Sequence, residues 1–281
     1  FFILLILKYM SSENVFSNTL KLIKNAKKNN IKTVGIIDNV ANAEYRFKGT
    51  SGDKNKYAPD YLFVPDDYTL NVYLKMGYKK ENIFIIGHPM YAANLKPKES
   101  KSEIRKKIFP KEACEKIIIV FVSELSTGLN PKLYLKNSSY TLEGRGTNNL
   151  RTNIVAEELI DAINKICYKE IEKPFTVLRR HPKETESDLK EISKEFDFIS
   201  KKEDPIEVIY AADLVIGIST LLLNQSYLIG TKSLAVLPEI IEEQLLPSVR
   251  NGDIEIITKS KNLEIYIKSF IEKNTYKNFK D

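Results

Sequence analysis

Among its 281 residues the chain has no tryptophan, only two histidines and only two cysteines. Scarcity of histidine and cysteine argues against a zinc site, which is built from clusters of these residues. Cys114 and Cys167 form no CxxC pair and read as separate reduced thiols of a cytoplasmic protein. No apolar run is long enough to span a bilayer. The opening run, Phe-Phe-Ile-Leu-Leu-Ile-Leu, has no charged segment before it and no small-residue cleavage site after it. It therefore reads as a buried strand rather than a signal peptide. The absence of an initial Met leads to the expectation of a chain trimmed at its N-terminus. No Walker loop, GxGxxG, HExxH, GxSxG or kinase motif occurs, and no internal repeat or low-complexity tract is seen.

Charge of one sign is also not concentrated. The net charge of +6 comes from 43 Lys and Arg against 37 Asp and Glu, interleaved along the chain. That distribution fits a solvated mixed surface and not a nucleic-acid stripe, so no nucleic-acid partner is expected. A mild attraction to acidic headgroups is compatible with it. The expected location is cytoplasmic, with peripheral association at the inner face of the plasma membrane as an option.

What the chain does have is alternation. Short apolar runs alternate with amphipathic Lys/Glu-rich segments, the pattern of βαβ units around a parallel sheet. Strands are expected at 2–7, 32–37, 61–64, 82–86, 116–122, 174–179, 213–217, 232–236 and 254–257. Helices are expected at 12–28, 67–76, 100–108, 152–169, 184–195, 205–211, 219–229 and 260–273. The sequence reads as an α/β protein of two Rossmann-like domains with a ligand cleft between them. The expected division is a first, incomplete domain at 1–95, a Lys-rich linker at 96–112 and a second domain at 113–281. Residues 124–150, with Gly128, Pro131, Gly144 and Gly146, read as a long functional or mobile loop.

Both histidines precede proline. His181-Pro182 follows Arg179 and Arg180 at the end of the apolar run 174–179. Ligands of open α/β sheets bind outside the C-terminal strand ends. Arginine suits phosphate oxygens, and imidazole can donate to a leaving phosphate near neutral pH. Pro182 confines His181 to extended geometry. The competing reading pairs the arginines with glutamates and makes His181 a turn residue. Gly217 ends the run 213–217 and would let a ligand approach the backbone, and Ser219 and Thr220 then open a helix, whose N-terminus favours anions. A simple N-cap role for Ser219 is the plainer alternative. Asp38, after the strand 32–37, and Glu44, in the following loop, are candidate general bases, against a turn-forming Asp-Asn pair. Arg145 and Arg151 could close over a phosphate, although a solvated loop is the default. His88-Pro89 reads as a turn at the end of the first domain.

Taken together, these pieces resemble bacterial glycosyltransferases of the GT-B fold. The first half carries Ala58-Pro59-Asp60-Tyr61-Leu62-Phe63-Val64-Pro65, then Lys75-Met76-Gly77-Tyr78, then Asn82-Ile83-Phe84-Ile85-Ile86-Gly87-His88-Pro89. The second half carries the His-Pro and Ser/Thr motifs. In bacterial sialyltransferases and polysialyltransferases similar motifs bind the nucleotide phosphate of a CMP-sugar. Wall-polymer glycerophosphotransferases, Kdo transferases and non-hydrolysing UDP-GlcNAc 2-epimerases have related arrangements. Many such proteins carry Glu on the helix after the Ser motif, where it holds a ribose. Here that position is Gln225, beside Asn224.

The resemblance implies a glycosyltransferase of surface-polysaccharide synthesis, such as capsule or lipopolysaccharide. It implies a CMP-, CDP- or UDP-linked sugar donor, a glycan or glycolipid acceptor, and no required metal or cofactor. His181 would stabilise the leaving phosphate with Arg179, Arg180 and Pro182, and Ser219 and Thr220 would bind the same phosphate. Asp38 or Glu44 would deprotonate the acceptor. Rival readings are a UDP-sugar 2-epimerase and a catalytically silent nucleotide-sugar-binding subunit.

Overall fold

The computed structural model describes residues 4–7, 18–88, 95–125, 135–167, 171–185, 189 and 191–278. These form two compact units, one up to residue 88 and one from residue 95 onward.

The first unit runs β1 (Leu4–Leu7), α1 (Asn18–Lys28), β2 (Lys32–Ile36), α2 (Ala43–Arg46), β3 (Tyr61–Val64), α3 (Asp67–Lys75) and β4 (Ile83–Ile85). Its sheet is parallel throughout, in the order β1-β2-β3-β4. Alternation along β3 buries Leu62 and Val64 against Ile23, Phe47 and Tyr73, while Tyr61 and Phe63 stay half-buried on the other face. Asp66 caps α3 by accepting from Thr69 N at 2.8 Å. The Ser-Ser-Glu-Asn signal expected to start α1, and Pro89, lie outside the described residues.

The second unit runs α4 (Lys101–Ile108), β5 (Ile118–Val122), α5 (Arg151–Ile166), β6 (Phe175–Arg179), β7 (Phe198–Ser200), α6 (Pro205–Ala211), β8 (Leu214–Gly217), α7 (Leu221–Leu228), β9 (Ser233–Val236), α8 (Pro247–Arg250), β10 (Glu255–Ile257) and α9 (Ser260–Asn278). Its strand order is β10-β9-β8-β5-β6-β7, every pair parallel. Counted from β5 this is the Rossmann order 3-2-1-4-5-6, with the topological switch between β5 and β8. β5, β6, β8 and β9 are buried at every position, as strands covered on both faces should be.

Each strand expected from the sequence is present; Tyr61–Val64 keeps its expected bounds, the first is described from Leu4 to Leu7, and the others are shortened at one or both ends. β7 was not anticipated, because three residues on an edge give too short an apolar run to read. The helix expected at 184–195 is absent from the described residues there. Leu189, Ile192 and Phe196 are buried, but a turn and a 3-10 segment at Ile192–Glu195 present them. The segment 96–112, expected as a linker, contains α4, whose Ile104 is buried in the core of the second unit together with Phe109 just beyond it. A capping box at Ser100 and Glu103 starts this helix. The described part of the long loop, 135–150, is packed and not loose. Tyr140 and Leu142 are buried, and Thr141 N donates to Pro238 O at 2.9 Å.

Asp213, just before β8, fastens α4 to the sheet. Its carboxylate accepts from Lys101 Nζ at 2.8 Å, Arg105 Nη2 at 2.6 Å and Ile118 N at 2.8 Å. Burial alone would raise its pKa, but Lys101 and Arg105 outweigh burial and hold it below the ordinary carboxylate value. Asp213→Asn is expected to cost about 2 kcal/mol at pH 7. Because the folded pKa is depressed, this contribution is complete above the unfolded pKa of 3.8 and is lost as pH falls through the folded value. Denaturant titrations of both proteins should therefore converge in acid.

Candidate functional site

The C-terminal ends of β5, β6 and β8 lie side by side, with β5 in the middle. The apolar run of β5 continues into Ser123 and Glu124. Ser123 serves the β6 side. Its N–H donates to Arg179 O at 3.0 Å, and its Oγ accepts from His181 N at 3.0 Å. The His181 N–H also reaches Glu184 Oε2 at 2.8 Å, and Ser123 Oγ donates to that carboxylate. The turn at His181 is thus fixed through its backbone. Its ring Nδ1 accepts from Lys183 N at 3.2 Å. An accepting Nδ1 places the proton of the neutral ring on Nε2, so the half-buried imidazole has its donor there.

Glu124 serves the β8 side. Its carboxylate accepts from Ser219 N and from Ser219 Oγ, the latter at 3.2 Å. Thr220 caps α7, its Oγ1 accepting from Leu222 N at 3.3 Å. The helix therefore starts at Leu221, and Ser219 sits in the turn before it, not in its first turn. A Cβ on Gly217 would lie 2.7 Å from Val122 Cγ2, so packing within the sheet already requires glycine there. Gln225 is half-buried on α7; the neighbouring Asn224 points inward and accepts from Ser248 Oγ.

Beside these strand ends lies a largely buried charged group. Arg151, at the start of α5, is 1% exposed. Its Nη1 donates to Glu124 Oε2 at 2.9 Å, its Nη2 to Ser219 Oγ at 2.8 Å and its Nε to Glu242 Oε2 at 3.0 Å. Burial works against the guanidinium, but Glu242 and Glu124 outweigh it and raise its pKa. Burial pushes the Glu242 carboxyl up to about 7, against the pull of Arg151. Glu242 Oε1 and Tyr140 Oη are both buried without a hydrogen-bond partner.

Other expected contacts point elsewhere. Arg179 Nη1 donates to Ser200 Oγ and Glu203 O, both at 2.9 Å, so Arg179 holds the β7 side of the sheet. Arg180 donates to Thr185 O and stiffens the His181 turn. Pro182 is exposed. Arg145 is clamped between the carboxylates of Asp161 and Glu195, with Nη2 to Glu195 Oε2 at 2.8 Å, and a phosphate would have to displace them. In the first unit, Asp38 follows β2, accepts from Asn39 N at 2.8 Å and lies 3.5 Å from Arg46 Nη1. Glu44 is exposed and paired with Lys54 at 2.6 Å. His88 is buried beside Asp38; burial lowers its pKa while Asp38 and Asp66 pull the other way. Among the described residues no group of three or more His, Cys, Asp or Glu could hold a metal ion, and no helix is long and apolar enough to cross a membrane.

Sequence reasoning missed Ser123, Glu124, Glu184 and Glu242, and read Arg151 only as a loop cation. A signal existed: β5 ends in Ser-Glu just as β6 ends in Arg-His, an apolar strand running straight into polar residues.

Compared by sequence, the chain matches no protein-family model and no curated protein. Solved structures do share its fold. HepE of Anabaena, in complex with UDP and glucose, superposes with a TM-score of 0.56 at 14% identity, over 92% of this chain and 66% of that one. The UDP-GlcNAc 2-epimerase of Neisseria meningitidis bound to UDP-GlcNAc gives 0.59 at 12%, over 97% and 69%. That of Methanocaldococcus jannaschii, with UDP-GlcNAc and UDP, gives 0.56 at 13%, over 95% and 68%. The chain has a GT-B-type fold. It spans about two thirds of the length of these proteins. Within that GT-B framework, both units are parallel α/β sheets with polar residues at their C-terminal strand ends.

Two stability measurements probe the buried group. Arg151→Met leaves two buried carboxylates without their cation and should cost about 3–5 kcal/mol in urea unfolding. Glu242 has a folded pKa raised from 4.5 to about 7, so its contribution is fully present below the lower value and lost as pH rises through the upper one. The Tm of the wild type should therefore fall relative to that of Glu242→Gln between about pH 5 and about pH 8. A constant difference across that range would show that Glu242 does not titrate there.

Proposed function

We propose that the chain acts as a glycosyltransferase that moves a sugar from a nucleotide-activated donor to a glycan or glycolipid acceptor. The observation that carries this reading is the tie at the end of β5. Ser123 and Glu124 hold the His181 turn and the Ser219 turn at adjoining strand ends of a Rossmann-ordered sheet. The presence of UDP, or of UDP-linked sugar, in structures of the same fold supports a nucleotide diphosphate as the ligand.

In this reading His181 Nε2–H, the Ser219 turn and the Thr220-capped end of α7 face the donor phosphates. An acceptor hydroxyl oxygen attacks the anomeric carbon, and the bond from that carbon to the phosphate oxygen breaks. Its electron pair leaves on the phosphate, where the two donor groups stabilise the added charge without need of a metal. The hydroxyl proton passes to a general base, for which the sequence offers Asp38 and Glu44. Asp38 suits that role better than Glu44, because it stands at a strand end while Glu44 is solvated and paired with Lys54. Arg180 acts by stiffening the turn, and Arg179 and Arg145 have structural partners. A donor of the UDP, CDP or CMP class, an acceptor in surface polysaccharide and a place at the inner membrane face complete the proposal.

A second reading, sugar 2-epimerisation, is favoured by the equal fold similarity to two UDP-GlcNAc 2-epimerases. Incubation with UDP-GlcNAc separates them: the 2-epimer appears in one case, and transfer to an added glycan in the other. Nucleotide binding with neither product would support a silent binding subunit.

The site is tested first by thermal shift with CMP, CDP, UDP and GDP. A ligand at a hundred times its Kd should add about 2.7 kcal/mol, several degrees in Tm. His181→Ala should then lower turnover about 10²–10⁴-fold with Tm nearly unchanged. Turnover near that of the wild type would remove His181 from the mechanism.

A further inference from the structure

Resting on the phosphate reading above, we infer that Glu124 is a built-in counter-anion, which occupies the Ser219 donors when no ligand is bound and yields them to an incoming phosphate. The two Ser219 donors in the turn before α7, N–H and Oγ–H, are both aimed at one carboxylate. That carboxylate is 9% exposed and sits at the switch point, where a ligand of this sheet class would enter. A phosphate taking the same donors would meet a negative charge at contact distance, so the two anions compete.

The surroundings make the exchange inexpensive. Thr152 Oγ1 donates to Glu124 O at 2.9 Å, which fixes the backbone and leaves only the side chain to move. Glu124 Oε2 also accepts from Arg151 Nη1 at 2.9 Å. A rotation that keeps this bond while releasing Ser219 leaves the carboxylate paired. Arg151 in turn remains held by Glu242. The group thus offers Glu124 two states with a partner in each, one closed on Ser219 and one open.

The consequence runs against the usual effect of deleting a polar contact in a binding site: Glu124→Gln should bind anions more tightly. An amide oxygen can still accept from Ser219 but lacks the charge, and hydrogen bonds to charged groups are about twice as strong. Isothermal titration of wild type and Glu124→Gln with inorganic pyrophosphate should give affinity about tenfold higher for the variant, since one charged hydrogen bond corresponds to roughly that factor. Equal or weaker affinity, or no binding by either protein, would overturn the inference. UDP titrated into the wild type answers separately whether the nucleotide reading stands, because pyrophosphate carries no base or ribose. Should Glu124→Gln fail to fold, the side-chain carboxyl ¹³C signal of Glu124 in the wild type provides the second test. It should shift as pyrophosphate saturates the protein; a signal unmoved at saturation would contradict the exchange.

Discussion

Where β5 leaves the second sheet, its next two residues divide between the neighbouring strands. Ser123 takes the backbone of the His181 turn after β6, and Glu124 takes the Ser219 turn after β8. Everything proposed for the site depends on this division. Neither turn is held by its own sequence alone; each is fixed by a residue belonging to the central strand. Ligands of such sheets bind at the switch in strand order, and the two polar residues that follow β5 stand at that switch.

Charge balance in a dry interior holds the arrangement in place. Taking Arg151, Glu124 and Glu242 out of water is unfavourable for each ion, and only mutual pairing offsets it. That pairing fixes the elements that carry these charges against one another. Moving α5 would strip Arg151 of both carboxylates, and moving Glu124 far would leave Arg151 and Ser219 unsatisfied. The segment carrying Glu242, the start of α5, the end of β5 and the turn before α7 therefore behave as one block. Tyr140 is buried close enough to this block to feel the charges of Glu242 and Arg151.

The framework was readable because the strands are continuous apolar runs and the crossover helices are amphipathic, two signals local in sequence. Thus the second sheet was visible from Ile118 to Ile257 apart from β7, whose three residues sit on an edge. What could not be read was partnership. Arg179 and Arg180 looked like phosphate ligands because they precede His181, yet Ser200, Glu203 and Thr185 engage them from segments 5 to 24 residues away. Arg145 looked mobile between two glycines, but Asp161 and Glu195 clamp it. The stretch 96–112 looked like a linker from its lysines and prolines, while Lys101 and Arg105 answer Asp213, more than a hundred positions on. Charged side chains declare a chemistry in sequence; which partner satisfies them is decided by the fold.

The two units contribute unequally to the proposed chemistry. The second carries a complete switch point with named donors; the first carries Asp38, Arg46 and His88 at its strand ends, where Asp38 has a chemical role only in the proposed transfer. The central claim is that the space between the His181 turn and the start of α7 receives a diphosphate. A crystal structure of the protein grown with UDP tests it most directly. Phosphate density is expected within hydrogen-bond reach of His181 Nε2 and Ser219, with the Glu124 carboxylate turned toward Arg151. Density for UDP elsewhere in the second unit, with Glu124 still closed on Ser219, would contradict it.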